Sequence, residues 1–143
     1  MKRLILFVDD DRYYAYSWIE VLRSDFNVEH RRDPLSALLR AQTLPEIDCI
    51  VLDVMMPTPE GVGASETADG FETGLWFLEK LVIRIKDLPI PVIVLTNRDL
   101  NLIQARIDNL RFQKGLVEVR RKLDVGTEML KQIVHDLVSR WRR

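Results

Sequence analysis

The feature that most constrains this chain is a repeated pairing of short apolar runs with longer stretches of helical spacing. Leu4-Ile5-Leu6-Phe7-Val8 is apolar throughout and stops at Asp9-Asp10-Asp11. Cys49 to Leu52 stops at Asp53, and Pro91-Val92-Ile93-Val94-Leu95 stops at Thr96. Apolar runs of that length without alternation are strands covered on both faces, and such strands belong to parallel sheets. Asn27 to Arg31 and Leu116 to Arg120 are weaker strands that bring the set to five. Between them lie helical patterns over about 12–24, 33–41, 71–86 and 99–111. The second opens on Asp33-Pro34, an N-cap followed by proline at the first helical position, and carries Leu35, Leu38 and Leu39 on one side. The last helix bears a stripe of Met129, Leu130, Ile133, Val134, Leu137, Val138 and Trp141. Strand–helix alternation with short connections predicts an α/β chain: a five-stranded parallel sheet, doubly wound, with helices on both faces.

The 143 residues suit one domain over 1–143, with an extended loop at about 57–70 marked by Pro57, Pro59, Gly61, Gly63 and Gly70. A hydrophobic fraction of 47% and a charged fraction of 30% exclude a disordered chain. The formal net charge of −1 gives no long-range pull toward nucleic acid or membrane. Arg140, Arg142 and Arg143 read as cations suited to a helix C-terminus. No run approaches the roughly 18 apolar residues of a membrane span, and Met1 to Leu4 lead directly into a strand without a signal peptide's apolar stretch. A cytoplasmic protein is expected. The lone Cys49 allows no internal disulfide, and its setting suits a small buried apolar residue.

In an open doubly wound sheet the functional crevice lies outside the carboxyl ends of the strands. Asp9-Asp10-Asp11, Asp53, Thr96 and Lys122 all stand at strand ends and would converge there. Acids at such positions can serve merely as helix N-caps. That accounts for one of Asp9, Asp10 and Asp11, but not for three in a row with Asp53 and Lys122. Crowded carboxylates resist joint ionisation, and a hard divalent cation with oxygen ligands, Mg²⁺, relieves the repulsion. A lysine adds a mobile point charge for a carboxylate or phosphate oxygen, and Thr96 adds a hydroxyl. An acceptor carboxylate, a metal and a second cation are the parts of a phosphoryl-transfer site.

With these residues in hand, the chain resembles the response-regulator receiver family of bacterial two-component systems along essentially its whole length. The resemblance rests on Ile5-Leu6-Phe7-Val8-Asp9-Asp10-Asp11, on Asp48-Cys49-Ile50-Val51-Leu52-Asp53-Val54-Met55-Met56-Pro57, on Val92-Ile93-Val94-Leu95-Thr96, and on Lys122. It implies a flavodoxin-like three-layer sandwich with strand order 2-1-3-4-5. It further implies that Asp53 is the phosphoacceptor and that Mg²⁺ is held by Asp10, by Asp9 through water, by Asp53 and by the backbone carbonyl of Met55. Thr96 and Lys122 would hold the phosphoryl oxygens. The implied partners are a sensor histidine kinase or phosphotransfer protein as donor and a downstream protein as target. A homodimer through the fourth helix, fifth strand and fifth helix would be a family habit.

Several positions depart from the family pattern. An Asp-Gly pair usually follows soon after the proline. Here it is either Asp69-Gly70, beyond an insertion, or Glu60-Gly61. Gly61-Val62-Gly63 joins no strand to a helix, so the 57–70 segment reads as a flexible lid or partner contact, not a phosphate loop. Asn97 replaces a small residue and could restrict or bind at Asp53. Val119 replaces the aromatic that swings inward in many receivers, and Leu123 replaces a proline. His30 and His135 are expected at the surface, away from the site. Tyr13, Tyr14, Tyr16 and Trp18 cannot all lie on one helix face, so some should be exposed. Two other functions stay open: a pseudo-receiver that binds without phosphorylation, and an aspartate-nucleophile phosphatase. The latter needs an acid two residues after Asp53, where Met55 stands, so the expectation is a phosphoacceptor and not an enzyme.

Overall fold

The structure, a computed structural model, describes residues 2–43, 47–84, 90–110, 112 and 115–141. Along the chain run β1 (Leu4–Val8), α1 (Arg12–Leu22), β2 (Asn27–Arg31), α2 (Pro34–Thr43), β3 (Ile47–Asp53), α3 (Thr73–Arg84), β4 (Val92–Thr96), α4 (Leu100–Asp108), β5 (Val117–Arg121) and α5 (Thr127–Arg140). The strands form one parallel sheet in the order β2-β1-β3-β4-β5. Both the fold class and the strand order are those expected.

The alternation of side chains along each strand explains why helices cover both faces. Leu6, Val8, Ile50, Leu52, Val92 and Val94 point toward α2, α3 and α4, where Leu38, Phe77, Leu78, Leu81 and Ile103 meet them. Ile5, Phe7, Cys49, Val51, Ile93 and Leu95 point the other way, onto α1 and α5 through Trp18, Ile19, Leu130, Val134 and Leu137. Cys49 is buried, as its setting implied, and burial pushes its thiol pKa up. Two apolar side chains of the expected stripes lie outside these layers. Leu39 is 59% exposed, because α2 uses Ala37, Leu38 and Ala41 as its inner face. Met129 is 49% exposed, about a quarter-turn off the stripe that begins at Leu130. Asp33 caps α2 as expected, accepting from the N–H groups of Leu35 and Ser36.

Element ends differ from the expected ones by a residue or two where helices fray: α1 stops at Leu22, and β3 already begins at Ile47. The expected extension of α3 through 85–86, the end of α4 at 111, and Arg142 and Arg143 lie outside the described residues. Among the described residues no helix is long and apolar enough to cross a membrane.

The register matters most for function. Val8 pairs with Leu52, Asp53 with Leu95, and Thr96 with Arg121. The residue after β1, the last residues of β3 and β4, and the residue after β5 therefore arrive at one level of the sheet edge. These are Asp9, Asp53, Thr96 and Lys122.

Candidate functional site

Asp9, Asp53 and Thr96 are buried polar residues at the edge of a largely apolar interior. Lys122 opens a single 3₁₀ turn (Lys122–Asp124) directly after β5. Its ammonium stands 3.1 Å from Asp53 Oδ1 and 3.4 Å from Asp9 Oδ2, with the lysine side chain only 9% exposed. Carboxylate oxygens of Asp9, Asp10 and Asp53 lie within 4.8 Å of one another. Three acids and one lysine at this spacing leave surplus negative charge. Hard oxygen donors in such a group suit Mg²⁺.

The electrostatics follow from burial. Asp53 has its pKa pushed up to about 6, first by desolvation and then by the Asp9 charge, while Lys122 pulls it back. Asp9 is also raised, chiefly by burial, against the opposing pull of Lys122 and the N–H of Asp11. Burial draws the Lys122 ammonium down, but the carboxylates of Asp53 and Asp9 together hold its pKa above the ordinary value. Asp9 Oδ1 accepts the Asp11 N–H at 2.9 Å, and Asp11 in turn caps α1 by accepting from the Tyr14 N–H. The acidic triplet is thus divided: Asp11 serves the helix, and Asp9 and Asp10 serve the site.

Thr96 Oγ1 accepts the Arg98 N–H at 2.9 Å. That bond uses a lone pair and leaves the hydroxyl proton to donate elsewhere. Met55, two residues past Asp53, stands between two carbonyls already in use: Val54 O accepts from Gly74 N–H at 2.8 Å, and Met56 O from the Thr73 hydroxyl at 2.6 Å. Asn97 is exposed, and Val119 is partly buried against the α2–α3–α4 side of the core.

The 57–70 segment, expected as a flexible lid or partner contact, has internal partners of its own. Its middle is one 3₁₀ turn, Ala64–Thr67, entered from Gly63. Thr58 and Thr67 share a hydroxyl hydrogen bond of 2.6 Å, and Val62 packs on the core. The segment closes where Met56 N–H donates to Gly70 O. Gly70 has φ +94°, and a Cβ there would lie 2.9 Å from Met56 O, so only glycine fits. Asp69-Gly70 is accordingly the pair that brings the chain back toward α3.

Four features were not read from the sequence. His30 was expected away from the site, yet its Nε2–H donates to Asp9 O at 2.8 Å. The parallel register sets His30 beside Phe7, and the two rings meet edge-on at 6.1 Å. The second is Gly74, where a Cβ would fall 2.3 Å from Asp53 O. The third is Tyr14, whose ring lies beneath the Lys122 ammonium at 4.7 Å. The fourth is Arg98, whose guanidinium covers the Phe71 ring at 5.2 Å. Of the aromatics on α1, Trp18 is buried, whereas Tyr13, Tyr14 and Tyr16 are exposed. His135 is exposed as expected and pairs with Asp25 at 2.7 Å, on another part of the molecule.

No family model matches the chain, and no curated protein matches its sequence. Solved structures do match its shape. A response regulator receiver domain protein from Methanospirillum hungatei has a TM-score of 0.75 at 17% identity, covering 99% of this chain and 97% of that one. A chemotaxis protein from Vibrio cholerae has a TM-score of 0.74 at 20% identity, covering 96% and 99%. A response regulator receiver domain from Clostridium thermocellum follows at 0.70 and 20%, covering 96% and 95%. Across nearly its whole length, then, the chain has the fold of response regulator receiver domains.

Proposed function

We propose that this protein is a phosphorelay receiver of the cytoplasm, phosphorylated on Asp53 by a phosphohistidine of a sensor kinase or phosphotransfer protein in a Mg²⁺-dependent reaction, and that the acyl phosphate switches its binding to a downstream protein. The observation that carries this reading is the Lys122 ammonium held between Asp53 and Asp9 at 3.1 and 3.4 Å, with Asp10 in the same acidic group and Thr96 level with it at the sheet edge. An Asp53 carboxylate oxygen forms the O–P bond as the donor's P–N bond breaks. The imidazole leaves with the electron pair and takes up a proton. Negative charge moves onto the phosphoryl oxygens, where Lys122 supplies a positive charge and Thr96 a hydroxyl donor. The carboxylates of Asp9, Asp10 and Asp53, with the Met55 carbonyl, would hold Mg²⁺, which supplies further positive charge to the moving group. An ionised Asp53 needs no general base.

Met55 presents a thioether where an aspartate-nucleophile phosphatase needs a proton donor, so we read the chain as a phosphoacceptor and not as a hydrolase. The second reading, a pseudo-receiver that binds partners without phosphorylation, is favoured by Val119, which offers no aromatic to swing inward. Intact mass after incubation with acetyl phosphate separates the two. A Mg²⁺-dependent gain of one phosphoryl group in the wild type, absent in Asp53→Ala, is expected. A folded wild type that gains none under any condition overturns the receiver reading in favour of the binding module.

A further inference from the structure

We infer that Tyr14 is a positioning residue for phosphoryl transfer, its ring forming a platform that holds the Lys122 ammonium over the strand ends; this rests on the reading of Asp53 as phosphoacceptor. The ammonium has neighbours of two kinds. Two are carboxylates, at 3.1 Å on Asp53 and 3.4 Å on Asp9. The other is the face of Tyr14, with its centroid 4.7 Å away.

The ring itself is held in place. Asp11 accepts the Tyr14 N–H at 3.0 Å and fixes this residue in the first turn of α1. Trp18, one turn on, meets the Tyr14 ring edge-on at 5.1 Å, and Trp18 leans on Phe7 of β1 at 6.4 Å. A chain of rings therefore connects the sheet to the lysine. Tyr13 beside it is 90% exposed and has no such contact, so the packing singles out one tyrosine of the three.

One of the two carboxylates that hold Lys122 changes during the reaction. When an Asp53 oxygen bonds to phosphorus, that carboxylate loses its charge to the phosphoryl oxygens. The lysine stem is flexible and its ammonium is strongly hydrated, so with this partner altered the charge can swing out to water. An aromatic face attracts a cation whatever happens at Asp53, most strongly where water is largely excluded. The ring thus keeps the ammonium at the place where negative charge develops, and preorganisation of this kind lowers the barrier.

The test compares Tyr14→Phe, which keeps the ring, with Tyr14→Leu, which keeps apolar bulk without a π face. With acetyl phosphate as donor, an Asp53 oxygen forms the O–P bond, the bridging P–O bond breaks, and acetate departs with the electron pair. The rate of phosphoryl gain is followed by intact mass. In a second readout, independent of phosphorylation, the ε-methylene protons of Lys122 are assigned by NMR, and the ring current of Tyr14 should move them upfield. Expected is a rate loss of about threefold to tenfold in Tyr14→Leu, with the upfield shift abolished, and both rescued in Tyr14→Phe. A thermal melt of each variant checks the fold. If Tyr14→Leu reacts as fast as the wild type, or Tyr14→Phe as slowly as Tyr14→Leu, the platform is refuted and the receiver reading stands. If the wild type gains no phosphoryl group, the receiver reading falls and takes the platform with it.

Discussion

Replacing Asp53 with asparagine should make the metal-free protein gain stability over the wild type as pH rises. Asp53 is 6% exposed, and burial with the Asp9 charge puts its pKa up to about 6. In the unfolded chain an aspartate titrates near about 3.9. The folded state therefore holds this proton more tightly. Between about pH 4 and pH 6 the unfolded chain has lost it while the folded chain keeps it, so wild-type stability falls as pH rises through that window. The displacement corresponds to about 3 kcal/mol in total, roughly half of it lost between about pH 5 and pH 7.5. Asparagine keeps the shape and has no proton to lose. It also removes one partner of Lys122, an attraction that grows as Asp53 ionises and is already contained in the Asp53 pKa, while Asp9 remains at 3.4 Å. The assay is urea unfolding of both proteins with chelator at the two pH values. The gap between variant and wild type should widen by about 1 kcal/mol at the higher pH. Saturating Mg²⁺ should then stabilise the wild type more than the variant, since the ion binds only the folded acids. A gap that stays constant with pH would refute the view that Asp53 is held ionised at a cost in stability.

Two further changes test the surroundings of the site. Met55→Asn introduces a polar side chain able to orient water two residues from the acyl phosphate. Its dephosphorylation, followed as loss of the phosphoryl mass, should be severalfold faster than in the wild type, and an unchanged rate would discard the idea that Met55 prolongs the phosphorylated state. Gly74→Ala places a Cβ 2.3 Å from Asp53 O and 2.7 Å from Val54 Cα, both backbone atoms that cannot step aside. It should cost about 1–3 kcal/mol, lowering the calorimetric midpoint by roughly 3–12 °C, and it should slow phosphoryl gain because β3 must shift at the acceptor.

What the sequence made legible was whatever depends on local pattern. Uninterrupted apolar runs such as Leu4–Val8 specify a buried parallel strand, and the polar residue that ends each run falls at the same edge because the register is nearly in step. What stayed hidden depends on how elements cross. His30 is an ordinary histidine in a weak edge strand until the register sets it against the end of β1. Gly74 looks like a poor helix residue, and only the approach of α3 to Asp53 explains it. Helix periodicity showed that the aromatics of α1 must divide between faces, but only the packing of α1 beside the end of β5 shows which ring meets Lys122. Leu39 and Met129 are apolar by type and exposed by phase. In the 57–70 segment, glycine and proline announced irregular backbone, while the pairing of Thr58 with Thr67 is a matter of three-dimensional closure.

The segment Phe71–Gly74 shows how the site is connected to α4 in a protein with valine at 119. Gly74 N–H and the Thr73 hydroxyl bind the carbonyls of Val54 and Met56, just past Asp53. Phe71 lies under Arg98, whose N–H is held by Thr96, and Glu72 pairs with Arg106 of α4 at 2.9 Å. Both ends of the chemistry, the acceptor strand and the threonine, thus touch α4 through four consecutive residues. The two side-chain contacts in this connection are partly exposed. An exposed ion pair is worth about 0–1 kcal/mol and an exposed cation–π contact about 0.5–1 kcal/mol. Breaking or making both changes the balance by about 0.5–2 kcal/mol, which limits this path to at most roughly a thirtyfold change in a partner's affinity. A larger response would have to draw on the buried core, where Val119 packs with the residues that α4 also covers.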